Sequence, residues 1–524
     1  MKTITFRSEA TPRLLSAAKL MSDAVGATLG PSGRTVIIDN NNKPFATKDG
    51  VTVAKAMHSE DRLANLCIQL IRDGANEAVH ECGDGTTTTT ILTESIYREG
   101  ARYVTAGAHP MKLKEGVDAG VKYCVGEFRK HSVSINEDDT KARLKQVATI
   151  SCNGDTSLGE TISEVIVEVG SQGVIQVEEG TGLETEWVIE GGMAFPSGMC
   201  SPYFANFDNE CRLDDPYVLL SDAKIQYANQ ILPLLERLYT QGNKPLCIIG
   251  EEIIGEALKC LILNATRKGM RLCAIKAPGV GERRQGWLDD IAISTGTRVF
   301  SPKHGMLLED VPLNLLGTCR QMVIGMEETI IKGGGAYPKE MMSHLKKLGN
   351  QLQALPKYDR EIMSERIAKL SGGIGLIKVG AYTEVELKER KARLEDALSA
   401  TQAALEEGVL PGGAVTYARC IEGLTRMSES STGDKRLGLL LLRDALKAPL
   451  RKLSTNVGFE SGELFPRVRG TDANVAWCAK TDQLDDMFKL GVIDPAKVTR
   501  VSLQKAASVA MTLLTTEAAI YHSK

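Results

Sequence analysis

Glu81-Cys82-Gly83-Asp84-Gly85-Thr86-Thr87-Thr88-Thr89-Thr90, running into the helical-looking stretch Ile91 to Gly100, is the most chemically pointed segment of the chain. Two glycines flanking an aspartate give a sharp turn. The threonines then fall where the first turn of a helix leaves its backbone N–H groups without partners. The positive end of a helix dipole favours phosphate, and the hydroxyls of Thr86, Thr87 and Thr88 add donors for the same oxygens. A carboxylate beside phosphates is repelled unless a hard cation such as magnesium lies between, so Asp84 points to a metal bridged to nucleotide. The competing reading is a capped helix with a threonine run, since Gly-Asp-Gly turns are common.

Two earlier turns carry related chemistry. A helix expected from Ser8 to Val25, with Leu14, Leu15, Ala18, Met21 and Val25 at helical spacing, stops at Thr28-Leu29-Gly30-Pro31-Ser32-Gly33-Arg34. This is either a second glycine-rich phosphate loop or a plain helix stop. A strand at Thr35 to Asp39 and a turn at Asn40 to Pro44 lead to Ala46-Thr47-Lys48-Asp49-Gly50-Val51-Thr52, which again sets a carboxylate beside a glycine. Helical patterns follow at Arg62 to Val79 and Met111 to Phe128, so the chain up to about Ser132 reads as mostly α.

Beyond Ser132 short helices, Arg143 to Ile150 and Thr161 to Val169, precede a strand at Val174 to Glu178 and a candidate hinge at Gly191-Gly192. From there to about Gly373 strands and helices alternate, which is the α/β signature and suggests a domain inserted into the helical one. Leu232, Leu235, Leu258, Ile262 and Leu263 lie on two of its helical stretches. They read as inner core or as an exposed apolar groove for partner chains. A charged helix from Thr383 to Gly408 holds Asp396, which taken alone is ordinary surface charge. After the turn Gly408-Val409-Leu410-Pro411-Gly412-Gly413 the chain reads as helical again, broken at Asp494-Pro495.

With 524 residues the chain exceeds what one core usually supports. Its net charge of −3 and 25% charged residues give no basic footprint for nucleic acid and no polybasic patch for a membrane. The longest apolar run, Leu437 to Leu442, is far below a membrane span. The 12 cysteines show no Cys-x-x-Cys pair and read as small buried hydrophobes in a reducing cytosol. The N-terminus shows no secretory pattern, so a cytoplasmic protein is expected.

These turns, taken in order, resemble the ATP-binding motifs of the group I chaperonins, the GroEL family. Glu178-Glu179-Gly180-Thr181-Gly182, Ser201-Pro202-Tyr203-Phe204, Lys276-Ala277-Pro278-Gly279, Lys391-Ala392-Arg393-Leu394-Glu395-Asp396-Ala397 and Asp494-Pro495-Ala496-Lys497-Val498-Thr499-Arg500 continue the likeness in family order. The resemblance implies a multidomain α and α/β fold of three domains. The equatorial domain, 1-131 and 407-524, is mostly helical; the intermediate hinge domain, 132-190 and 374-406, is small and α/β; the apical domain, 191-373, is α/β. It implies an ATP hydrolase that forms heptameric rings and encloses non-native polypeptides under a lid cochaperonin of the GroES type, using ATP, Mg2+ and K+.

By position the resemblance assigns magnesium to Asp84 and the attacking water to Asp49 and Asp396. Nucleotide contacts fall to Thr28, Leu29, Gly30, Pro31, Lys48, Gly85, Thr86, Thr87, Thr88, Gly412, Gly413, Cys478 and Asp494. Substrate binding falls to Met199, Tyr203, Phe204, Leu232, Leu235, Leu258, Ile262 and Leu263, and Arg451 with Glu460 match positions that bridge rings. The chain departs from the family at Ser32 (usually Lys), Met199 (usually Tyr), Ala414 (usually Gly) and Cys478 (usually Asn). It therefore resembles a divergent member of bacterial or phage origin. The alternative is a ring-forming holdase or scaffold without a productive ATPase cycle.

Overall fold

The computed structural model describes residues 2–522 apart from 41–42, 136–139, 153, 171–172, 181, 208, 303–304, 335–337, 353–362, 364–365, 368–369, 371–372, 460–461, 463 and 469–470. Thr181, Glu460 and Glu463 lie outside the described residues. Two compact units are present, Met1–Glu164 with Tyr382–Lys524, and Val165–Ala381. The second unit includes residues 191–373, read from the sequence as an α/β insertion, and extends beyond them on both sides.

The first unit is a packing of long helices: Arg7–Gly26, Arg62–Cys82, Thr86–Thr105, Pro110–His131, Glu384–Glu407, Val415–Glu429, Gly433–Ala445 and Ala496–Thr515. In Arg62–Cys82 the buried residues Leu63, Cys67, Ile68, Ile71, Gly74, Ala75 and Ala78 recur at three and four, so one stripe is apolar and faces the core. Each large aliphatic side chain buried there stabilises the fold by about 1.5–3 kcal/mol. Small residues let the helices approach closely. A Cβ on Gly116 would stand 2.2 Å from the Lys435 carbonyl oxygen and 2.9 Å from the Gly438 Cα, so Pro110–His131 and Gly433–Ala445 touch backbone to backbone. The high glycine content is therefore partly a packing device.

Short hairpins decorate this unit. Val36–Asn40 pairs antiparallel with Lys43–Thr47, where the sequence suggested one strand and a turn. Lys2–Phe6 pairs antiparallel with Ala518–His522, joining the two chain ends in register Lys2 to His522. Neither was expected as a strand; the alternation is short, and its partner lies at the opposite end of the chain. A third pair, Val475–Cys478 with Gln483–Asp486, interrupts the stretch read as helical.

The second unit holds an eight-stranded sheet. Leu272–Lys276, Leu246–Gly250 and Tyr217–Ser221 run parallel, and Gly317–Ile324, Thr329–Gly334 and Gly192–Phe195 extend the sheet antiparallel. Leu246–Gly250 is buried along its whole length, as a parallel strand covered on both faces should be. A separate three-stranded sheet places Ile374–Val379 between Val174–Glu179, parallel, and Glu186–Glu190, antiparallel. All twelve cysteines are free, and only Cys200 and Cys260 are not buried. Burial pushes the Cys67 thiol up to about 12, so it packs as an inert small hydrophobe.

Candidate functional site

The turn that opened the sequence builds a helix start with bare N–H groups. Gly83 (φ 75°) and Gly85 (φ 100°) both take left-handed backbone, which a side chain at either position would strain. Space forbids one as well: a Cβ on Gly83 would stand 1.9 Å from the Ser399 Cβ, and one on Gly85 would stand 2.4 Å from the Ser502 Oγ. Gly85 is the N-cap of Thr86–Thr105, and no side chain caps that helix. Asp84 instead accepts the Gly85 N–H through Oδ1 at 2.5 Å. The Thr86 and Thr89 hydroxyls are buried and make no hydrogen bond. Orphan donors at an uncapped helix N-terminus are what an oxyanion satisfies.

The Gly30 and Asp49 turns close on the same place. A Cβ on Gly50 would lie 2.2 Å from the Thr87 Oγ1 and 3.4 Å from the Thr28 Oγ1, so three segments remote in sequence meet there. Gly30 (φ 81°) packs against Leu453, whose Cδ1 would be 2.3 Å from a Cβ. Asp49 caps the helix Gly50–Ala56, accepting from the Val51 N–H at 3.0 Å, the Thr52 N–H at 2.7 Å and the Thr52 hydroxyl at 2.5 Å. Its carboxylate is fixed and already occupied. Lys48 and Pro31 are exposed, while Thr28 and Leu29 are half-buried.

Asp396 and Asp494 complete an array of carboxylates. Asp396 lies on Glu384–Glu407 beside the buried positions Leu394, Ala397 and Ala400, and accepts no hydrogen bond among the described residues. Burial, reinforced by the negative charges of Asp84 and Asp49, pushes it up to about 8, with Lys55 pulling the other way. Asp494 sits in the strand Ile493–Pro495 opposite Leu410. Burial and Asp84 push it up to about 7. Asp84 is raised too, by the surrounding protein and by Asp49, although part of its side chain still meets solvent. The raised carboxyls of Asp84, Asp396 and Asp494, with the charge of Asp49 beside them, leave a cation deficit centred on Asp84.

Among the described residues no three His, Cys, Asp or Glu side chains converge as a metal site. That fits a cation of the magnesium class, which one or two carboxylates hold together with substrate phosphates rather than an all-protein cage. A lone carboxylate beside orphan helix N–H groups suits a hard cation shared with phosphate oxygens.

Near Gly412 and Gly413 the departure at Ala414 falls on a left-handed position, which the sequence reading did not anticipate. Gly412 donates to the Val492 carbonyl at 2.9 Å, Gly413 has φ 71°, and Ala414 follows at φ 62° as the uncapped N-cap of Val415–Glu429. A left-handed alanine costs roughly 1–2 kcal/mol, so the two glycines and Ala414 hold one continuous turn in a demanding conformation. Cys478 is buried in a small core with Trp477, Leu453 and Val415. Burial raises its thiol, but hydrogen bonds from Thr481 and Lys480 outweigh this and leave it below the usual thiol range.

The apolar candidates of the second unit divide in two. Tyr203 (70% exposed), Leu232 (42%) and Leu263 (47%) are at the surface, with Leu258 and Ile262 half-buried against the core. Met199, Phe204 and Leu235 are buried at 5%, 4% and 3%: Leu235 takes the inner-core alternative, and Met199 and Phe204 leave the binding surface that the resemblance implied. The helix Leu232–Thr240 turns Leu234, Leu235 and Leu238 inward, and the short turn Pro202–Phe204 alternates Tyr203 out and Phe204 in. No helix among the described residues is long and apolar enough to cross a membrane.

In a comparison of folds, the chain superposes on the chaperonin gp146 of the Pseudomonas aeruginosa bacteriophage EL, crystallised in the presence of ATP-BeFx. In one crystal form the TM-score is 0.75 at 23% identity, covering 99% of each chain. In the second form it is 0.67, again at 23% identity and 99% of each chain. The expected multidomain α and α/β chaperonin fold is thus the observed one. A family model for the TCP-1/cpn60 chaperonins matches residues 21–524, and the chain belongs to that family.

Proposed function

We propose that this protein is an ATP-hydrolysing chaperonin that forms rings, captures non-native polypeptides and encloses them for folding. The observation that carries the proposal is the carboxylate array around an uncapped, hydroxyl-lined helix N-terminus in one unit, with exposed apolar side chains on a separately folded unit. Under this reading residues 1-131 and 407-524 are the equatorial domain, 132-190 and 374-406 the intermediate hinge, and 191-373 the apical domain.

The N–H groups of Thr86, Thr87 and Thr88, with the turns at Thr28 to Pro31, receive the phosphates. Asp84 would hold a magnesium ion, which when bound would neutralise charge on the phosphate oxygens. Asp49 is clamped by three donors and serves to orient water rather than to take its proton. Asp396, with no hydrogen-bond partner among the described residues and a carboxyl pushed up to about 8, is the proton acceptor. Gly412, Gly413, Cys478 and Asp494 face the ribose and base, and Lys48 is offered as a peripheral nucleotide contact. K+, a heptameric ring, a GroES-type lid and a bacterial cytoplasmic setting complete the proposal.

Client binding rests on Tyr203, Leu232, Leu258, Ile262 and Leu263, since apolar area covered on a non-native chain stabilises binding by about 25 cal/mol per Å2. The test is to dilute an unfolded client into the purified protein with and without ATP, following aggregation, recovered client activity and particle size by light scattering. A large particle that suppresses aggregation and returns active client only with ATP is the expected result. Suppression without ATP-dependent recovery would leave a holdase, the reading favoured by the loss of the amide at Cys478. A monomer that suppresses nothing would overturn both.

A further inference from the structure

Two segments distant in sequence cross within the first unit. Val133 bridges antiparallel to Val409, and the Ser132 hydroxyl donates to the Glu407 carbonyl. Beside this crossing lies a cavity of about 270 Å3. One wall is formed by Phe128, Arg129, Ser132 and Ser134, and the other by Glu407, Ala496 and Arg500.

The cavity has the chemistry of an oxyanion site. Arg500 is held in place, donating through Nε and Nη2 to Glu407 at 3.0 and 2.6 Å and through Nη1 to Gln504 at 2.7 Å. Arg129 is exposed and forms no ion pair among the described residues. Two guanidinium groups therefore face one carboxylate, and that carboxylate is already neutralised by Arg500. Glu81 approaches Arg500 only to 3.9 Å and is shared with Lys505 at 3.4 Å. Ala496 opens a 20-residue helix with no side-chain N-cap, so the positive end of a long dipole adds to the field. The Ser134 hydroxyl can donate, that of Ser132 being taken by the Glu407 carbonyl, and buried Phe128 supplies an apolar floor. A water's share of liquid volume is about 30 Å3. The cavity thus has room for a phosphate group and a small organic substituent.

We propose that this cavity binds a small oxyanion, inorganic phosphate or a small phosphate monoester, with Arg129 and Arg500 as its charge partners. Because its walls come from the two crossing segments and from the helix start at 496–500, occupancy ties residues 128–134 to 407 and 496–500. The inference does not depend on the nucleotide reading of the Asp84 turn.

The test is calorimetric titration of the full chain with inorganic phosphate at constant ionic strength, with glycerol phosphate and chloride as parallel titrants. Wild type, Arg129→Ala, Arg129→Lys and Thr87→Val are compared. A lost charge-assisted hydrogen bond predicts at least a tenfold weaker phosphate affinity in Arg129→Ala, partial recovery in Arg129→Lys, and an Arg129-dependent site that persists in Thr87→Val. Tighter binding of glycerol phosphate with the same Arg129 dependence would support the monoester as ligand; tighter binding of phosphate would support the free ion. Arg129 is at the surface, so an unchanged melting temperature confirms that its variants are folded. Phosphate binding that survives Arg129→Ala, binding that disappears in Thr87→Val instead, or heats no different from chloride would each overturn the proposal.

Discussion

The carboxylate cleft of the first unit and the apolar surface of the second are built by opposite physical rules. In the cleft, polar groups are held in unfavourable company: Asp396 and Asp494 are pushed up to about 8 and about 7, and two threonine hydroxyls are buried unpaired. On the apolar surface nothing is strained, and Tyr203, Leu232 and Leu263 simply lie outside a core that Leu234, Leu235 and Leu238 fill. Under the proposed reading, a site for one charged ligand stores its specificity as repulsion awaiting that ligand, and a surface for many chains needs only exposed area.

The largest expected effect separates the two regions outright. Asp84→Asn should lower magnesium-dependent ATP turnover by roughly 10²–10³, on the scale of removing one electrostatic stabiliser of a transition state. Client capture in the absence of nucleotide should be unchanged. Steady-state phosphate release and an aggregation assay on the same preparation check this; equal loss of both would erase the contrast.

The next effect lies within the second unit. Leu235→Ala removes a buried side chain and should cost about 2–5 kcal/mol in denaturant melts, whereas Leu263→Ser should stay within about 0.5 kcal/mol and weaken client capture. If Leu263→Ser proves as destabilising as Leu235→Ala, the division into surface and core is wrong.

A pH effect sharpens the picture of the cleft. Asp396 has a folded pKa near 8 against an ordinary carboxylate value near 4, so the folded state holds its proton more tightly than the unfolded one. Its contribution to stability therefore falls as pH rises from about 4 to about 8. Asp396→Asn should raise the melting temperature relative to wild type at pH 8 and leave it nearly equal at pH 4. Magnesium should narrow the difference at pH 8 by restoring positive charge. A gap independent of pH would remove Asp396 from the repelling array.

The smallest effect concerns Ala414. Glycine there relieves a left-handed alanine at φ 62° but frees the unfolded chain, so Ala414→Gly should change stability by no more than about 1 kcal/mol, toward greater stability. Thermal melts are sufficient to read it.

What could be read from the sequence follows the same contrast. The turn at Gly83 to Gly85 announced itself because the backbone there demands glycine and the following helix start demands an anion, and both are local facts. Asp49 was marked only by the glycine beside it and Asp396 not at all; the family resemblance drew attention to their roles, and the meeting of Gly50, Thr87 and Thr28 gave Asp49 a place. Ala414 stood out only as a departure from a usual glycine, and its left-handed backbone went unread because alanine does not advertise φ. In the second unit helical spacing identified apolar stripes without saying which side faced the core, so Leu235 and Leu263 looked alike until the sheet beneath them was placed. The pairing of Lys2–Phe6 with Ala518–His522 was illegible for a similar reason, since each strand is marginal without the other.

The most direct test of the central claim, that the Asp84 cleft hydrolyses ATP with Asp396 as its base, is steady-state turnover and equilibrium ATP binding for wild type beside Asp396→Ala. A general base contributes roughly 10²–10⁴ in rate. The account predicts a loss of that order with ATP affinity retained, and a wild-type rate that rises with pH toward about 8. Equal turnover in the two proteins, or a wild type that binds ATP and does not hydrolyse it, would contradict it.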